Sequence, residues 1–283
     1  MEKWVLAAKR ADFQEIGRKY GIDPVIARII RNRDITEDAE INQYLNGTLD
    51  DIPSWKSLKD IDKAVEIISQ KIDLGTRMRI IGDYDIDGVT ATYILLKGFK
   101  RLGANVDTYI PDRIADGYGI HNHLIEKAKE DGVDTIVTYP NKNICGAVVA
   151  MKLVFALYEK YGIPESEKED YLEPAAIATV GDIMDLQGEN RILVKEGLLR
   201  LPHTKNKGLK ALIRAIGLEN QKISSYDIGF RLGPCINASG RLDTAMRSLS
   251  LLQCEDEEEA AKLANDLKAL NDSRKAVSYT HLT

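Results

Sequence analysis

The sequence predicts an α/β protein, with a parallel sheet flanked by helices and followed by a mainly helical region. Three observations carry that expectation. Short apolar runs at 78–82, 105–110 and 133–138 alternate with helix-length segments at 89–102 and 122–130, the pattern of parallel strands joined by crossover helices. From Cys145 onward the apolar spacing is almost all helical, interrupted at Gly162-Ile163-Pro164, Leu201-Pro202 and Gly233-Pro234. Finally, three aspartates fall within Asp83-Tyr84-Asp85-Ile86-Asp87-Gly88, at the first strand-to-helix junction. Open α/β sheets present their ligand sites at such carboxyl ends of strands.

The elements follow in order. Residues 1 to 50 are charged and helical in pattern, with Ala27-Arg28-Ile29-Ile30 as one apolar stretch. Asp51 to Ser57, with Pro53 and Trp55, reads as a loop. Ile61, Ala64, Val65, Ile68 and Ile72 have the spacing of one helix face. Met78-Arg79-Ile80-Ile81-Gly82 is a short buried strand, and the helix after the acidic turn is expected to start at Val89. The last long helix covers 256–276, with Glu257, Glu258 and Glu259 where the helix dipole favours them. The expected regions are a helical segment at 1–72, the α/β part at 73–190, a helical part at 191–276, and a tail at 277–283 foreign to the rest.

Composition narrows the function classes. A chain of 283 residues with 44% hydrophobic content can bury real cores. No stretch approaches the roughly 20 apolar residues of a membrane span. The start Met-Glu-Lys-Trp-Val lacks the apolar core of a signal peptide. Cys145, Cys235 and Cys254 are far apart and odd in number, so they form neither a zinc spacing nor a disulfide framework. A cytoplasmic location is expected. The net charge of −5 argues against a general basic coat for nucleic acid, though local basic patches can still hold phosphates.

Three crowded carboxylates repel one another, and cations relieve that repulsion most directly. Hard oxygen ligands suit Mg²⁺ or Mn²⁺. The alternative is a solvated acidic turn, with Asp87-Gly88 as its turn signal.

The string Ile81-Gly82-Asp83-Tyr84-Asp85-Ile86-Asp87-Gly88-Val89-Thr90 resembles the first motif of the DHH phosphoesterase superfamily. Within it, the chain resembles the RecJ family of single-strand-specific DNA exonucleases. Four further segments agree: Ile110-Pro111-Asp112-Arg113 with Asp116-Gly117-Tyr118-Gly119, Cys145 to Ala150, Ala178-Thr179-Val180-Gly181-Asp182, and Gly233 to Leu242. These segments stand in the family's order, and the likeness as a whole runs from about residue 20 to 276. The resemblance implies a hydrolase degrading single-stranded DNA from the 5′ end in repair and recombination. It implies two divalent ions, Mn²⁺ or Mg²⁺, in the intact family. It also suggests a single-strand-binding protein or a helicase as partner.

By that resemblance Asp85 and Asp87 are catalytic metal ligands, Asp182 is a ligand from a later motif, and Asp83 ligates or holds a ligand water. Asp182 alone could equally be a helix cap or turn residue. Arg113 would grip a phosphate, Tyr118 would stack on a base, and Asn237 and Arg241 would line the phosphate cleft. Without the resemblance, Arg113 reads as a surface arginine and Tyr118 as packing in a glycine turn. Cys235 stands where the family has an arginine, which removes one expected cation.

The departures are specific. Neither the Asp-His-His motif nor the Asp-Asn-Gly segment is present, and none of His121, His123, His203 and His281 follows an aspartate at a strand end. The strand ending at Thr138 runs directly into Tyr139-Pro140-Asn141-Lys142-Asn143-Ile144-Cys145. This suggests an internal deletion of about fifty residues at 138–139 and an incomplete sheet. The ending after Ala276 does not continue the family's connecting helix, and its second domain with a Gly-Gly-His motif is absent. The expectation is one bound ion or none, and an inactive chain. Other DHH phosphoesterases, acting on short oligonucleotides or cyclic dinucleotides, and a non-catalytic nucleic-acid-binding or scaffold module are the alternatives.

Overall fold

A computed structural model describes residues 9–117, 119–138 and 144–280. The first helices are α1 (Phe13–Tyr20), α2 (Pro24–Asn32), α3 (Asp38–Asn46) and α4 (Ile61–Asp73). The α/β part comprises β1 (Met78–Ile81), α5 (Ile86–Arg101), β2 (Val106–Tyr109), α6 (Asn122–Glu130), β3 (Thr135–Val137) and α7 (Gly146–Tyr161). Then come α8 (Leu172–Gly181), α9 (Gly188–Arg200), α10 (Lys207–Ala215), the single turn α11 (Ser225–Asp227), α12 (Gly233–Leu242), α13 (Met246–Gln253) and α14 (Glu257–Thr280).

The described strands make one parallel sheet in the order β2-β1-β3. β1 is central and buried along its whole length, as its run of apolar residues requires. The exception in that run, Arg79, is also buried, and two carboxylates neutralise it. Its guanidinium donates to both Asp107 oxygens at 2.6 and 2.9 Å and to Asp131 at 2.8 Å. Ile81 pairs with Tyr109, so the loops after β1 and β2 leave the same sheet edge. The chain leaves β1 for β2 on one side and returns to β3 on the other. This is the topology that opens a crevice at the strands' carboxyl ends.

β3 pairs with β1 alone among the described residues. Its outer edge therefore has no strand partner there, in line with a sheet that is incomplete on that side.

Helix α5 is buried on nearly all faces. It can be so enclosed because α7 comes very close: a Cβ on Gly98 would lie 2.5 Å from a Val154 methyl. One large core runs from Ile61 through the sheet and α8 to Leu267 of α14. The 73–190 and 191–276 regions share that core, and α4 joins it through Ile61, Val65, Ile68 and Ile72. Only Ile30, Ile35 and Ile41 of the earlier helices form a separate small core.

Candidate metal centre and nucleic-acid cleft

The acidic turn is built by its own backbone demands. Asp85 is the N-cap of α5 and accepts from the Gly88 amide at 2.8 Å. That cap starts the helix at Ile86 rather than at Val89, which places Asp87 in its first turn. Asp83 accepts from the Tyr84 amide at 2.8 Å. Gly88 is required here, because a Cβ would sit 2.3 Å from the Asp83 carbonyl oxygen.

Asp87 is buried, and its two oxygens accept from the first amides of α7, Gly146 at 2.7 Å and Ala147 at 2.8 Å. The positive end of the helix dipole favours a carboxylate at this place. Burial nevertheless dominates and pushes the Asp87 carboxyl up to about 6; the two amides oppose it, and the charges of Asp182 and Asp85 add to it. Burial, with Asp87 nearby, also pushes the Cys145 thiol up to about 12.

Asp182 closes α8 as its C-cap and lies in the turn before Ile183, so of the two sequence alternatives the turn residue holds and the N-cap does not. Gly181 brings it against α5, since a Cβ there would meet Ile86 at 2.7 Å. The next residue, Ile183, has φ 57° and is 90% exposed. A left-handed conformation is strained for a β-branched residue.

The structure thus gathers Asp83, Asp85, Asp87 and Asp182 at the end of the central strand. It does not arrange them as a ligand set. Among the described residues, no group of three or more His, Cys, Asp or Glu side chains could hold a metal ion. Asp83 and Asp85 each accept from a local amide, and Asp87 anchors the first turn of α7. As placed, these residues do not fit a complete metal centre.

Helix α12 flanks the turn. A Cβ on Gly240 would lie 2.2 Å from the Tyr84 carbonyl oxygen, so only glycine permits this approach. Gly240→Ala is therefore expected to push α12 off the acidic turn, at a cost of about 1–3 kcal/mol. A lower denaturation midpoint at unchanged slope would show it, and an unchanged midpoint would refute the close contact. Half-buried Asn237 and exposed Arg241 lie one turn apart on this helix, on one face. The Arg113 guanidinium sits over the Tyr84 ring, 5.6 Å from its centroid. Arg113, Tyr84 and α12 thus share one wall beside the carboxylates. Tyr84, as the platform joining them, was not legible from sequence; its only signal is its place between two aspartates.

Other expectations fall elsewhere. Tyr118 lies outside the described residues, as do 139–143, which hold the start of the junction. Cys235 is buried against α14, where the Asn271 amide donates to its sulfur at 3.6 Å. It fills a helix contact, so its cysteine leaves no gap in the cleft. His123 pairs with Asp116 at 2.8 Å and stacks on His121, apart from the acidic cluster. Lys205, Lys207, Lys210 and Arg214 form a basic stretch after Pro202, in which Lys207 donates to the Glu255 carbonyl and Arg214 pairs with Glu219, as on a solvated helix face.

No family model matches the chain. It is 29% identical over 315 aligned positions to the single-stranded-DNA-specific exonuclease RecJ of Escherichia coli, covering 90% of this chain and 54% of that protein. It is 34% identical to RecJ of Thermus thermophilus, over 80% of this chain and 40% of that one. The chain thus spans about half the length of the curated relatives it matches. A solved exonuclease RecJ bound to manganese superposes with a TM-score of 0.72 at 31% identity, covering 81% of this chain and 70% of that one. RecJ of Thermus thermophilus has been solved with Mn²⁺ and with Mg²⁺, and superposes at 0.78 and 0.75. With the acidic turn, the Arg113 loop and α12 in place on this fold, the chain belongs to the RecJ family of single-stranded-DNA-specific exonucleases.

Proposed function

We propose that this chain carries the acidic half of a nuclease that degrades single-stranded DNA from the 5′ end in repair and recombination, and that it is inactive as it stands. The observation that carries this reading is the meeting of Asp83, Asp85 and Asp182 at the carboxyl end of β1, walled by Arg113 and α12. Negative charge at that point suits a divalent cation, Mn²⁺ or Mg²⁺, and Arg113, Asn237 and Arg241 suit a phosphate chain. Asp87 serves the site indirectly by holding α7 against α5. A single-strand-binding protein or helicase is the partner that fits such an activity.

An internal deletion at 138–139 would account for the incomplete ligand set. Two observations support it. The alignment to the Escherichia coli relative spans 315 positions, more than the 283 residues of this chain, so the relative has residues between matched segments that this chain lacks. The unpartnered edge of β3 is also where a further strand would pair. A second reading, a non-catalytic single-strand-binding module, is favoured by the same incomplete set. Among the described residues, no helix is long and apolar enough to cross a membrane.

Calorimetric titration with Mn²⁺ tests the cation reading. The expected result is one weak site, removed by Asp85→Ala. Two tight sites would overturn the incomplete-centre reading, and no binding at all would favour the non-catalytic module.

A further inference from the structure

An open groove of about 860 Å³ lies between α9 and residues 220–225. Its apolar floor includes Val194, Leu198 and Leu199, and Arg191, Lys195 and Lys222 give it positive charge; Arg191 stacks on the Tyr44 ring and donates to the Tyr44 carbonyl, Lys195 donates to the Gly47 carbonyl, and Lys222 is exposed. No carboxylate lines it, although the whole chain has a net charge of −5. A neighbouring cavity by Lys97 shows the contrast, since Glu169, Asp170, Glu173 and Glu255 offset its cations. The groove therefore selects for an anion that also has apolar surface.

Two of its lining residues border other features. Leu186 lies four residues beyond Asp182. Ser225 directly precedes an exposed aromatic pair in the chain. Tyr226 and Phe230 are each 64% exposed and stack with centroids 4.7 Å apart and planes 26° from parallel. Their backbone is a fixed platform. Asp227 and Ser224 form a capping box, and Ile228–Leu232 is a π-helical segment whose Gly229 lies against Val180 of α8. The pair therefore sits on the element that packs against the helix ending in Asp182. Large exposed rings with no covering side chain call for a flat apolar partner.

We infer that the Tyr226–Phe230 pair and the groove between α9 and residues 220–225 form a binding subsite for single-stranded nucleic acid, separate from the acidic cleft. Bases stack on the rings and the apolar floor, and phosphates meet Lys222 within the positive field of Arg191 and Lys195. Unpaired bases alone offer the free faces that such a platform takes. The inference rests on the reading of single-stranded DNA as substrate, and it adds a hold on the strand away from the carboxylates.

Fluorescence anisotropy with a labelled oligothymidylate and a matching duplex, in a chelator to prevent turnover, tests it. Tyr226→Ala with Phe230→Ala is expected to weaken single-strand binding about tenfold, while Tyr226→Phe with Phe230→Tyr preserves it. Lys222→Ala should lower the salt dependence by about one counterion. Duplex should bind more weakly than single strand. If the double alanine variant binds like the parent while Arg113→Ala weakens binding, the subsite is overturned and the cleft reading stands. If the parent binds no single strand, the substrate reading falls with it. If the double variant changes only self-association in size-exclusion chromatography, the rings belong to a protein interface and the subsite is overturned.

Discussion

Incubated with 5′-labelled single-stranded DNA and Mn²⁺, this chain is expected to release no nucleotides. Phosphodiester hydrolysis needs an activated water and a means of dispersing charge on the leaving oxygen, and these act as a unit rather than as additive parts. Here Asp83 and Asp85 serve local amides, Asp87 anchors α7, and among the described residues no metal-holding group is formed. The rate should therefore be abolished, not trimmed. Reinserting the family's segment between Thr138 and Cys145 is expected to restore Mn²⁺-dependent hydrolysis, which Asp85→Ala then removes. Degradation by the unmodified chain that stops with Asp85→Ala would show that the ligand set is sufficient after all.

The second large effect concerns stability. Asp87→Ala strips the acceptor from two buried amides of α7, each worth about 1–3 kcal/mol when left unpaired. Relief of the buried charge offsets part of this, so a net loss of about 3 kcal/mol is expected. The wild-type protein also has a pH signature in chelator. The native Asp87 carboxyl titrates at about 6, against a usual 3.8. Between those values the folded state takes up a proton that the unfolded chain does not. The resulting stabilisation is complete below the lower value and is lost as pH rises through the upper one. Two units of difference correspond to at most about 3 kcal/mol. The thermal midpoint of the wild type minus that of Asp87→Asn should accordingly fall from pH 4 to pH 7. A flat difference would show that Asp87 is not held as the structure places it. Comparison with Asp87→Asn matters because burial raises the Glu173 carboxyl as well.

What could be read from the sequence was local. The apolar run of β1 and the Asp83–Gly88 turn follow from neighbours in the chain, so both were legible. α5 starts three residues earlier than its apolar pattern indicates, because Asp85 caps it at Ile86. The role of Asp87 depends on Gly146 and Ala147, amides with no side-chain signature that lie far along the chain. Asp182 could be assigned to the cluster through its motif, but its place as a C-cap beside Ile86 needed the packing of α8 on α5. The stacked pair Tyr226–Phe230 carries the spacing of an ordinary helix face, and only its exposure sets it apart.

The anchoring of α7 has a consequence for how this family can change length. Its first turn is held by a side chain that precedes β2, α6 and β3, since Asp87 accepts from the Gly146 and Ala147 amides. The route by which the backbone arrives at Cys145 can then lengthen or shorten without shifting the helix. Doubling a connection costs only about 0.6 kcal/mol in closure entropy. A change of length ahead of Cys145 would therefore leave the Asp87 anchor of α7 in place, and the helical half would keep its footing.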